Sequence, residues 1–386
     1  RGAGRKGPMR LIRLAHVILP LALASSALAN DEVIPGRWTP ERAHAWYQAQ
    51  PWLVGCNFTP STAINQLEMW QADTFDEKTI DRELGWAAGM GMNTVRVFLH
   101  DLLWQQDSAG LLQRIDRFLA ICERHKIKPM LVFADACWNP HPALGKQPDP
   151  VPRVHNSGWV QSPHIDVLRD PARHASLEPY VRGVLGRFKD DPRVLLWDLY
   201  NEPGNDGPAD GLTTAAKEEK GLLLLRELYR WARDVNPSQP LTTGVWIKEW
   251  SGDKVTEVNR FMLANSDVIS FHCYENLDKL KQRVASLKPH GRPLLCTEYL
   301  ARGSRSTFED MLPYFKEERI AAYNWGLVAG KIQTEYPWSS IKKKFTAEPD
   351  PWHHDILRKD GTPYRQSEVE LMRKLTGRGE NEKAES

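Results

Sequence analysis

The sequence has no excess of charge of either sign. It contains 51 Lys and Arg residues against 49 Asp and Glu residues, which leaves a formal net charge of +2 over 386 residues. Such a balance provides no field that would concentrate nucleic acid or draw the chain to an anionic membrane. The composition therefore argues against a nucleic-acid partner and favours a neutral substrate.

Cysteine is scarce and odd in number. The five cysteines are Cys56, Cys122, Cys137, Cys273 and Cys296. At least one thiol must therefore stay free or pair with another chain, and those in apolar, strand-like runs (Cys56, Cys273 and Cys296) are interpreted as buried and inert. No cysteine spacing matches a zinc site, and the adjacent His353 and His354 would not share a helix face for one ion. We predict no metal and no cofactor.

The apolar stretch near the N-terminus is too short to span a bilayer, which takes about 20 apolar residues. It runs from Val17 to Leu23 and is followed by the small-residue segment Ala27-Leu28-Ala29. Basic residues precede it at Arg1, Arg5, Lys6, Arg10 and Arg13. This order predicts a secretory signal peptide over residues 1–29, and hence a secreted or periplasmic protein. Met9 is a candidate start, because residues 9–29 alone make a complete signal.

Beyond this segment, apolar runs of strand length alternate with helix-period segments. The candidate strands are 52–58, 93–99, 128–134, 193–200, 241–246, 267–274, 293–299 and 321–327. In the intervening segments 111–122, 180–188 and 277–287, apolar residues three and four apart mark one buried helix face. Eight strands alternating with helices predict an α/β fold, a closed (β/α)8 TIM barrel, as a single domain over residues 37–376.

Two connections are longer than is usual between a strand and the next helix, namely residues 135–175 and 328–355. Each follows a predicted strand, so each lies at the barrel face that carries active sites. Two interpretations are open: ordered loops that shape a substrate cleft, which we favour, or solvated decoration. No linker and no second core-forming segment remains, so we expect no additional module.

Two of the predicted strands end on glutamates. The segment "WDLYNEPG" brings Glu202 to the end of the fourth strand, and "PLLCTEYLARG" brings Glu298 to the end of the seventh. A buried, unpaired carboxylate is costly, so each needs a structural partner or a function. Cleavage of a glycosidic bond uses two carboxyl groups, one as proton donor and one beneath an oxocarbenium-like centre. For a nucleophile and an acid/base pair, a separation of about 5–5.5 Å and retention of anomeric configuration are expected.

The segments "NTVRVF", "WDLYNEPG", "SFHCY" and "CTEY", on strands 2, 4, 6 and 7, together resemble glycoside hydrolase family 5. The resemblance runs from residue 52 to residue 327, and its specific part is the Asn-Glu-Pro element combined with the glutamate that ends strand 7. It implies a cellulase-like retaining glycosidase that acts on a neutral β-linked polysaccharide or oligosaccharide. A β-1,4-linkage is favoured, and glucan, mannan and xylan remain alternatives.

The resemblance also implies roles for single residues. Glu202 corresponds to the acid/base, Glu298 to the nucleophile, and Asn201 to the residue that binds the sugar 2-hydroxyl. Arg96 corresponds to an arginine beside the nucleophile, where a guanidinium would hold Glu298 ionised. A structural ion pair inside the barrel is the alternative for Arg96, and the two do not exclude each other.

Further substrate-binding residues are predicted around this pair. By the same resemblance, His272 lines the cleft, Tyr274 donates a hydrogen bond to the nucleophile, and Trp325 forms the aromatic floor beneath the sugar. Strand 3 departs from the family, because Asp135 and Trp138 stand where a histidine is common. Asp135 either binds a sugar hydroxyl or caps the following turn. Other tryptophans that are either sugar platforms or core and rim residues are Trp104, Trp159, Trp246, Trp338 and Trp352.

Two other classes of function compete with a glycosidase. A barrel kept as a non-catalytic carbohydrate-binding protein would be expected to have lost one of the two glutamates. A metal-dependent hydrolase would carry clustered His and Asp at strand ends, where His272 stands alone. Within the glycosidase interpretation, long loops that wall off one end of the cleft would favour exo action on short oligosaccharides over internal cleavage.

Overall fold

The computed structural model describes residues 1–4 and 32–378. Residues 5–29 of the predicted signal peptide lie outside the described residues. The chain divides after Asp31, and the helices and strands of the described residues belong to the unit that begins at Glu32. In the part of the chain that the structure describes, no helix has both the length and the apolarity needed to cross a membrane.

Eight parallel strands form a barrel, as predicted. They are β1 (Val54–Asn57), β2 (Thr94–Phe98), β3 (Lys128–Asp135), β4 (Leu196–Asn201), β5 (Leu241–Thr242), β6 (Ile269–His272), β7 (Leu294–Tyr299) and β8 (Ala321–Trp325). Their order around the sheet is β5-β4-β3-β2-β1-β8-β7-β6. The fold class predicted from the alternation of strands and helices is therefore confirmed.

The barrel closes between β5 and β6 through residues just beyond β5. Val245 forms a parallel bridge with Phe271. The Val245 amide donates to the Ser270 carbonyl at 3.1 Å, and the His272 amide donates to the Val245 carbonyl at 3.0 Å. Opposite this seam, a Cβ at Gly55 of β1 would lie 2.0 Å from the Thr94 carbonyl oxygen, so only glycine allows β1 and β2 this close.

Helices surround the barrel. They are α1 (Pro40–Gln48), α2 (Gln66–Trp70), α3 (Glu77–Gly89), α4 (Asp101–Arg124), α5 (Ile165–Arg169), α6 (Glu178–Phe188), α7 (Thr214–Val235), α8 (Glu257–Asn265), α9 (Leu277–Leu287), α10 (Phe308–Glu317) and α11 (Gln366–Thr376). Short 3₁₀ turns cover Pro171–Leu177, Lys288–His290, Arg302–Ser304 and Trp338–Ile341. The predicted helix faces are buried, as Ile115 and Phe118 of α4 illustrate.

The two ends of the barrel are built differently. At the end where the strands begin, Ala43 and Tyr47 of α1 pack with apolar residues from the strand starts, among them Leu53 and Leu295. This packing seals that end. At the opposite end, where the strands finish, the two long connections predicted from the sequence lie around a pocket, which is where a TIM barrel places its chemistry.

Candidate active site

Glu202 follows directly after the last residue of β4 and has a left-handed backbone, with φ of 47°. For a residue with a side chain this conformation costs on the order of 1–3 kcal/mol, and such residues are concentrated at functional sites. The side chain is almost covered, since Glu202 is 9% exposed. Holding this carboxylate at the mouth of the barrel therefore requires an unfavourable backbone conformation.

Three side chains fix the Glu202 carboxylate. Oε2 accepts hydrogen bonds from Asn205 Nδ2 at 2.7 Å and from the Cys137 thiol at 3.2 Å. Oε1 lies 2.8 Å from His272 Nδ1. Burial raises the pKa of Glu202 above its usual range, while the bonds from Cys137 and Asn205 act in the opposite direction. A carboxyl group with a raised pKa keeps its proton to higher pH, as a general acid requires.

Glu298, in β7, lies in a more cationic setting. Its Oε1 accepts from Arg96 Nη1 at 2.8 Å, and its Oε2 accepts from the Tyr274 hydroxyl at 2.8 Å. Burial raises the pKa of Glu298, the neighbouring Glu202 adds to the rise, and Arg96 and Tyr274 lower it. The two contacts lie where the sequence predicted them, but burial outweighs the guanidinium that was expected to keep the carboxylate ionised.

Arg96 is fully buried. It both contacts Glu298 and forms a structural ion pair, which were the two alternatives for this residue. Besides Glu298, it pairs with Asp198 Oδ2 through Nη2 at 2.8 Å and Nε at 3.1 Å. It also donates to Asn57 Oδ1 at 2.9 Å and to Asn201 Oδ1 at 2.8 Å. The guanidinium therefore links strands β1, β2, β4 and β7. Arg96 does not line the pocket itself, but it binds two residues that do, Asn201 and Glu298.

The two glutamates face each other across His272. One ligand atom each of Glu202, His272 and Glu298 lies within 4.8 Å of the others. Carboxylates whose nearest oxygens are this close are in keeping with the roughly 5–5.5 Å between carboxyl groups of retaining glycosidases. The same three atoms could ligate a cation, but the Arg96 guanidinium already pairs with Glu298, which disfavours a second positive charge there.

His272 differs from its prediction. It is not among the residues that line the pocket, and it is 4% exposed. Its Nδ1 is 2.8 Å from Glu202 and 3.5 Å from Glu298. Burial lowers the pKa of His272 to about 4, so the ring is neutral at ordinary pH. A neutral ring can donate a hydrogen bond from Nδ1 to Glu202. His272 therefore contacts the two candidate catalytic glutamates and not the pocket.

Asp135, at the end of β3, caps the following turn. Its Oδ1 accepts from the Cys137 amide at 3.1 Å and from Asn201 Nδ2 at 2.9 Å. Its Oδ2 accepts from Trp159 Nε1 at 2.6 Å. Asp135 is 1% exposed, and burial raises its pKa to about 6. Both of its oxygens have protein partners, which favours the turn-capping alternative over direct binding of a sugar hydroxyl.

A pocket of about 720 Å³ opens above the two glutamates. Trp138, Asn201, Tyr274 and Trp325 line it, as does Asp135. Further lining residues are Cys137, His155, Asn156, Trp159, Asn205, Asp206, Gly207, Pro208, Trp246, Trp338, Ile341, Lys342 and His354. The wall is thus rich in indole rings, which suit the apolar face of a sugar.

The tryptophans divide between this pocket and the core. Trp325 lines the pocket, and its ring centroid lies 5.9 Å from that of Trp159. Of the five tryptophans left open by the sequence, Trp159, Trp246 and Trp338 line the pocket. Trp104 packs against Tyr180 and Gly183, and Trp352 stacks on Tyr364, with ring centroids 4.5 Å apart.

Cys137 and Asn205 were missed by the sequence analysis as partners of Glu202. Asn205 carried a signal, because it stands three residues after Glu202 in a Pro-Gly turn, and the turn closes with a bond from its amide to the Glu202 carbonyl at 2.9 Å. Cys137 carried none, since only the turn capped by Asp135 brings its thiol to the carboxylate.

Comparison with known proteins gives a short sequence match. No protein-family model matches the chain. A 101-residue alignment to mannan endo-1,4-beta-mannosidase 7 of Arabidopsis thaliana has 31% identity and covers 24% of this chain and 22% of that protein. The match thus spans about a fifth of the relative's length.

Solved structures match over much more of the chain. An exo-beta-1,4-mannosidase from Opitutaceae bacterium strain TAV5 superposes with a TM-score of 0.57 at 19% identity, covering 84% of this chain and 60% of that one. GH5_18 from Streptomyces cattleya, in complex with Manβ1-4GlcNAc, gives 0.54 at 13%, covering 84% and 80%. The beta-1,4-mannanase of the sea hare Aplysia kurodai gives 0.53 at 17%, covering 78% and 95%. At such low identities the likeness shows the barrel fold.

Proposed function

We propose that the chain is a retaining glycoside hydrolase that cleaves β-1,4-linked mannan or manno-oligosaccharides. The observation that carries the proposal is the pair of carboxylates, Glu202 and Glu298, with one oxygen of each within 4.8 Å of the other at the mouth of a TIM barrel. Two carboxyl groups this close, above an aromatic floor, match the arrangement used in retaining hydrolysis of glycosides.

The surroundings of the two carboxylates support opposite roles. Glu298 contacts Arg96 and Tyr274, which both favour its ionised form against the larger, opposite effect of burial, so it is the better placed of the two carboxylates to act as nucleophile. Glu202 has no arginine or lysine in hydrogen-bond contact among the described residues, and its pKa is raised by burial. It is therefore suited to hold the proton that the leaving oxygen needs.

In the proposed mechanism, Glu298 attacks the anomeric carbon while Glu202 gives its proton to the glycosidic oxygen. The bond to the leaving sugar breaks and a glycosyl ester forms on Glu298. Glu202, now ionised, removes a proton from a water molecule, which attacks the same carbon and frees Glu298. Two inversions give net retention of configuration.

The choice of mannan rests on the named relatives, which are mannosidases and mannanases acting on β-1,4 linkages. The balance of 51 basic and 49 acidic residues is in keeping with an uncharged polymer. The predicted signal peptide supports action outside the cytoplasm, where such polymers are met. Glucan and xylan are the alternatives that the sequence motifs share.

The test is hydrolysis of a panel of β-1,4-linked manno-, gluco- and xylo-oligosaccharides by the wild type and by Glu202→Gln and Glu298→Gln. We expect turnover of the manno-oligosaccharides, reduced by about 10³-fold or more in both variants. Glu309→Gln is the matched control, because Glu309 is exposed on α10. Binding of oligosaccharide without turnover of any panel member would instead favour a non-catalytic carbohydrate-binding barrel.

A further inference from the structure

The two long connections are joined to each other over one side of the pocket. We call the joined segments, residues 151–156 and 332–340, the loop bridge. The Asn156 amide donates to the Ile332 carbonyl at 2.8 Å, and the His155 amide donates to Ser340 Oγ at 2.9 Å. His155 Nδ1 lies 2.7 Å from the Tyr336 carbonyl oxygen. Connections far apart in the sequence thus form one wall.

The Gln333 side chain adds a second set of links. Its Oε1 accepts from the Arg153 amide at 2.7 Å, and its Nε2 donates to the Val151 carbonyl at 2.7 Å and to the Val154 carbonyl at 3.3 Å. Gln333 does not line the pocket. It therefore acts on the bridge alone, which makes it a suitable position for a test.

The strand order determines which side the bridge covers. Because β2 and β1 lie between β3 and β8 in the sheet, a link from the connection after β3 to the connection after β8 passes over the ends of β1 and β2. The connection after β1 bonds to residues that flank the bridge: the Lys331 amide donates to the Ser61 carbonyl at 3.0 Å, and Gln66 Nε2 donates to the Val160 carbonyl at 2.9 Å.

The bridge continues as a chain of aromatic rings towards the far side of the pocket. The ring centroids of His155 and Trp338 are 6.2 Å apart, and those of Trp338 and Tyr274 are 5.1 Å apart. The wall therefore runs from the connection after β3 to the residues after β6. Opposite it, the pocket is lined by residues 205–208 and Trp246.

The two sides correspond to the two parts of a bound glycan. The bridge residue Trp338 packs against Tyr274, which donates to Glu298, so a sugar bonded to Glu298 lies beside the wall. Glu202, which protonates the leaving oxygen, is continuous with residues 205–208 on the opposite side. The part of the glycan that becomes bonded to Glu298 thus faces the wall, and the leaving part faces the opening.

We infer, on the basis of the proposed glycosidase function, that the loop bridge closes the pocket at the non-reducing end of the substrate. The enzyme then cuts from that end and releases a product of one fixed length. A chain that continues past the wall in the non-reducing direction is not a substrate.

The test compares two manno-oligosaccharides that carry a fluorophore at the reducing end. One has a free non-reducing end, and the other carries a bulky 4,6-O-benzylidene group there. We expect labelled products of the free substrate to shorten by a constant step, and the blocked substrate to react about 100-fold more slowly or worse. Mixed internal products from the earliest times, with similar rates for both substrates, would overturn the inference alone. Absence of turnover on both would overturn the proposed function as well.

Gln333→Ala tests whether the bridge is the barrier. Removing its hydrogen bonds loosens the bridge, so the blocked-to-free rate ratio should rise about fivefold. Gln282→Ala, at an exposed position of α9, is the matched control and should leave the ratio unchanged. A ratio that does not move in Gln333→Ala, in a variant that still turns over the free substrate, would count against the bridge as the barrier.

Discussion

Replacement of Cys137 by alanine should move the alkaline limb of the pH–rate profile to higher pH. The Cys137 thiol donates to Glu202 Oε2 at 3.2 Å, beside the bond from Asn205. Burial and the neighbouring carboxylates raise the pKa of the Cys137 thiol well above its usual range, so it remains a protonated donor. This bond lowers the pKa of Glu202 against the larger effect of burial, and without it the pKa is higher.

The size of the shift follows from the strength of the bond. A thiol is a weak donor, and the loss of one such bond to a carboxylate costs about 0.7 kcal/mol, or about half a pH unit. Because Glu202 is the acid in the proposed mechanism, activity should be lost as pH rises through its pKa, and a higher pKa should extend activity to higher pH. The buried thiol Cys122 of α4 offers a control that lies outside the pocket lining.

The assay is kcat/KM for an aryl β-mannoside from about pH 4 to about pH 9. Cys137→Ala should shift the alkaline limb upwards by about half a unit, whereas Cys122→Ala should leave it in place. Cys137→Ser supplies a hydroxyl, which is a stronger donor than a thiol, and should not shift the limb upwards. An alkaline limb that stays unmoved or shifts to lower pH in Cys137→Ala would refute the assignment of the thiol as a donor to the acid/base.

Three further outcomes are expected. Tyr274→Phe removes the donor to Glu298 Oε2 at 2.8 Å, so the pKa of Glu298 rises and the acid limb of kcat/KM moves to higher pH; Tyr314→Phe on α10 should not move it. Burial and the neighbouring Asp355 raise the pKa of Glu335 above its usual range, so unfolding releases its proton and the wild-type Tm should fall as pH rises above the usual glutamate pKa. Glu335→Gln should flatten that fall in melts at several pH values, and an unchanged slope would contradict the burial effect. Dialysis against EDTA should leave turnover intact, and a loss restored by a divalent ion would indicate a metal at Glu202, His272 and Glu298.

The strands could be predicted because each carries its own signal. Runs such as 128–134 are apolar on both faces, as parallel strands must be when helices cover the barrel. The residues at which the strands end were harder to predict. β5 covers Leu241–Thr242 alone, and the barrel closes through Val245 beyond it. Closure depends on a partner strand distant in sequence, which periodicity along one segment does not reveal.

The candidate site could likewise be predicted only in part. Glu202 and Glu298 could be found because a carboxylate at the end of an apolar run is conspicuous. The partners of Arg96 were only partly predicted, since its pairing with Asp198 depends on two strands that are not adjacent. Asp198 lies inside an apolar run, where a buried carboxylate needs a cationic partner. The sequence therefore carried a signal for this ion pair, which was not used.

The long connections were the least predictable part. Their prolines and polar residues indicate loops, but not whether the loops touch. The bridge consists of bonds such as that from the Asn156 amide to the Ile332 carbonyl, and backbone groups of this kind carry no residue-specific signal. Only the assembled barrel, which sets β3 and β8 on either side of β1 and β2, brings the segments together.

The most direct test of the two-carboxylate site is the configuration of the first product. Proton NMR recorded within the first minutes of hydrolysis of a β-1,4-linked manno-oligosaccharide reports the anomer before mutarotation. With oxygens of Glu202 and Glu298 within 4.8 Å of each other, we expect the β-anomer to form first and the α-anomer to appear only as mutarotation proceeds. Initial formation of the α-anomer would mean direct attack by water, and would contradict the assignment of Glu298 as nucleophile.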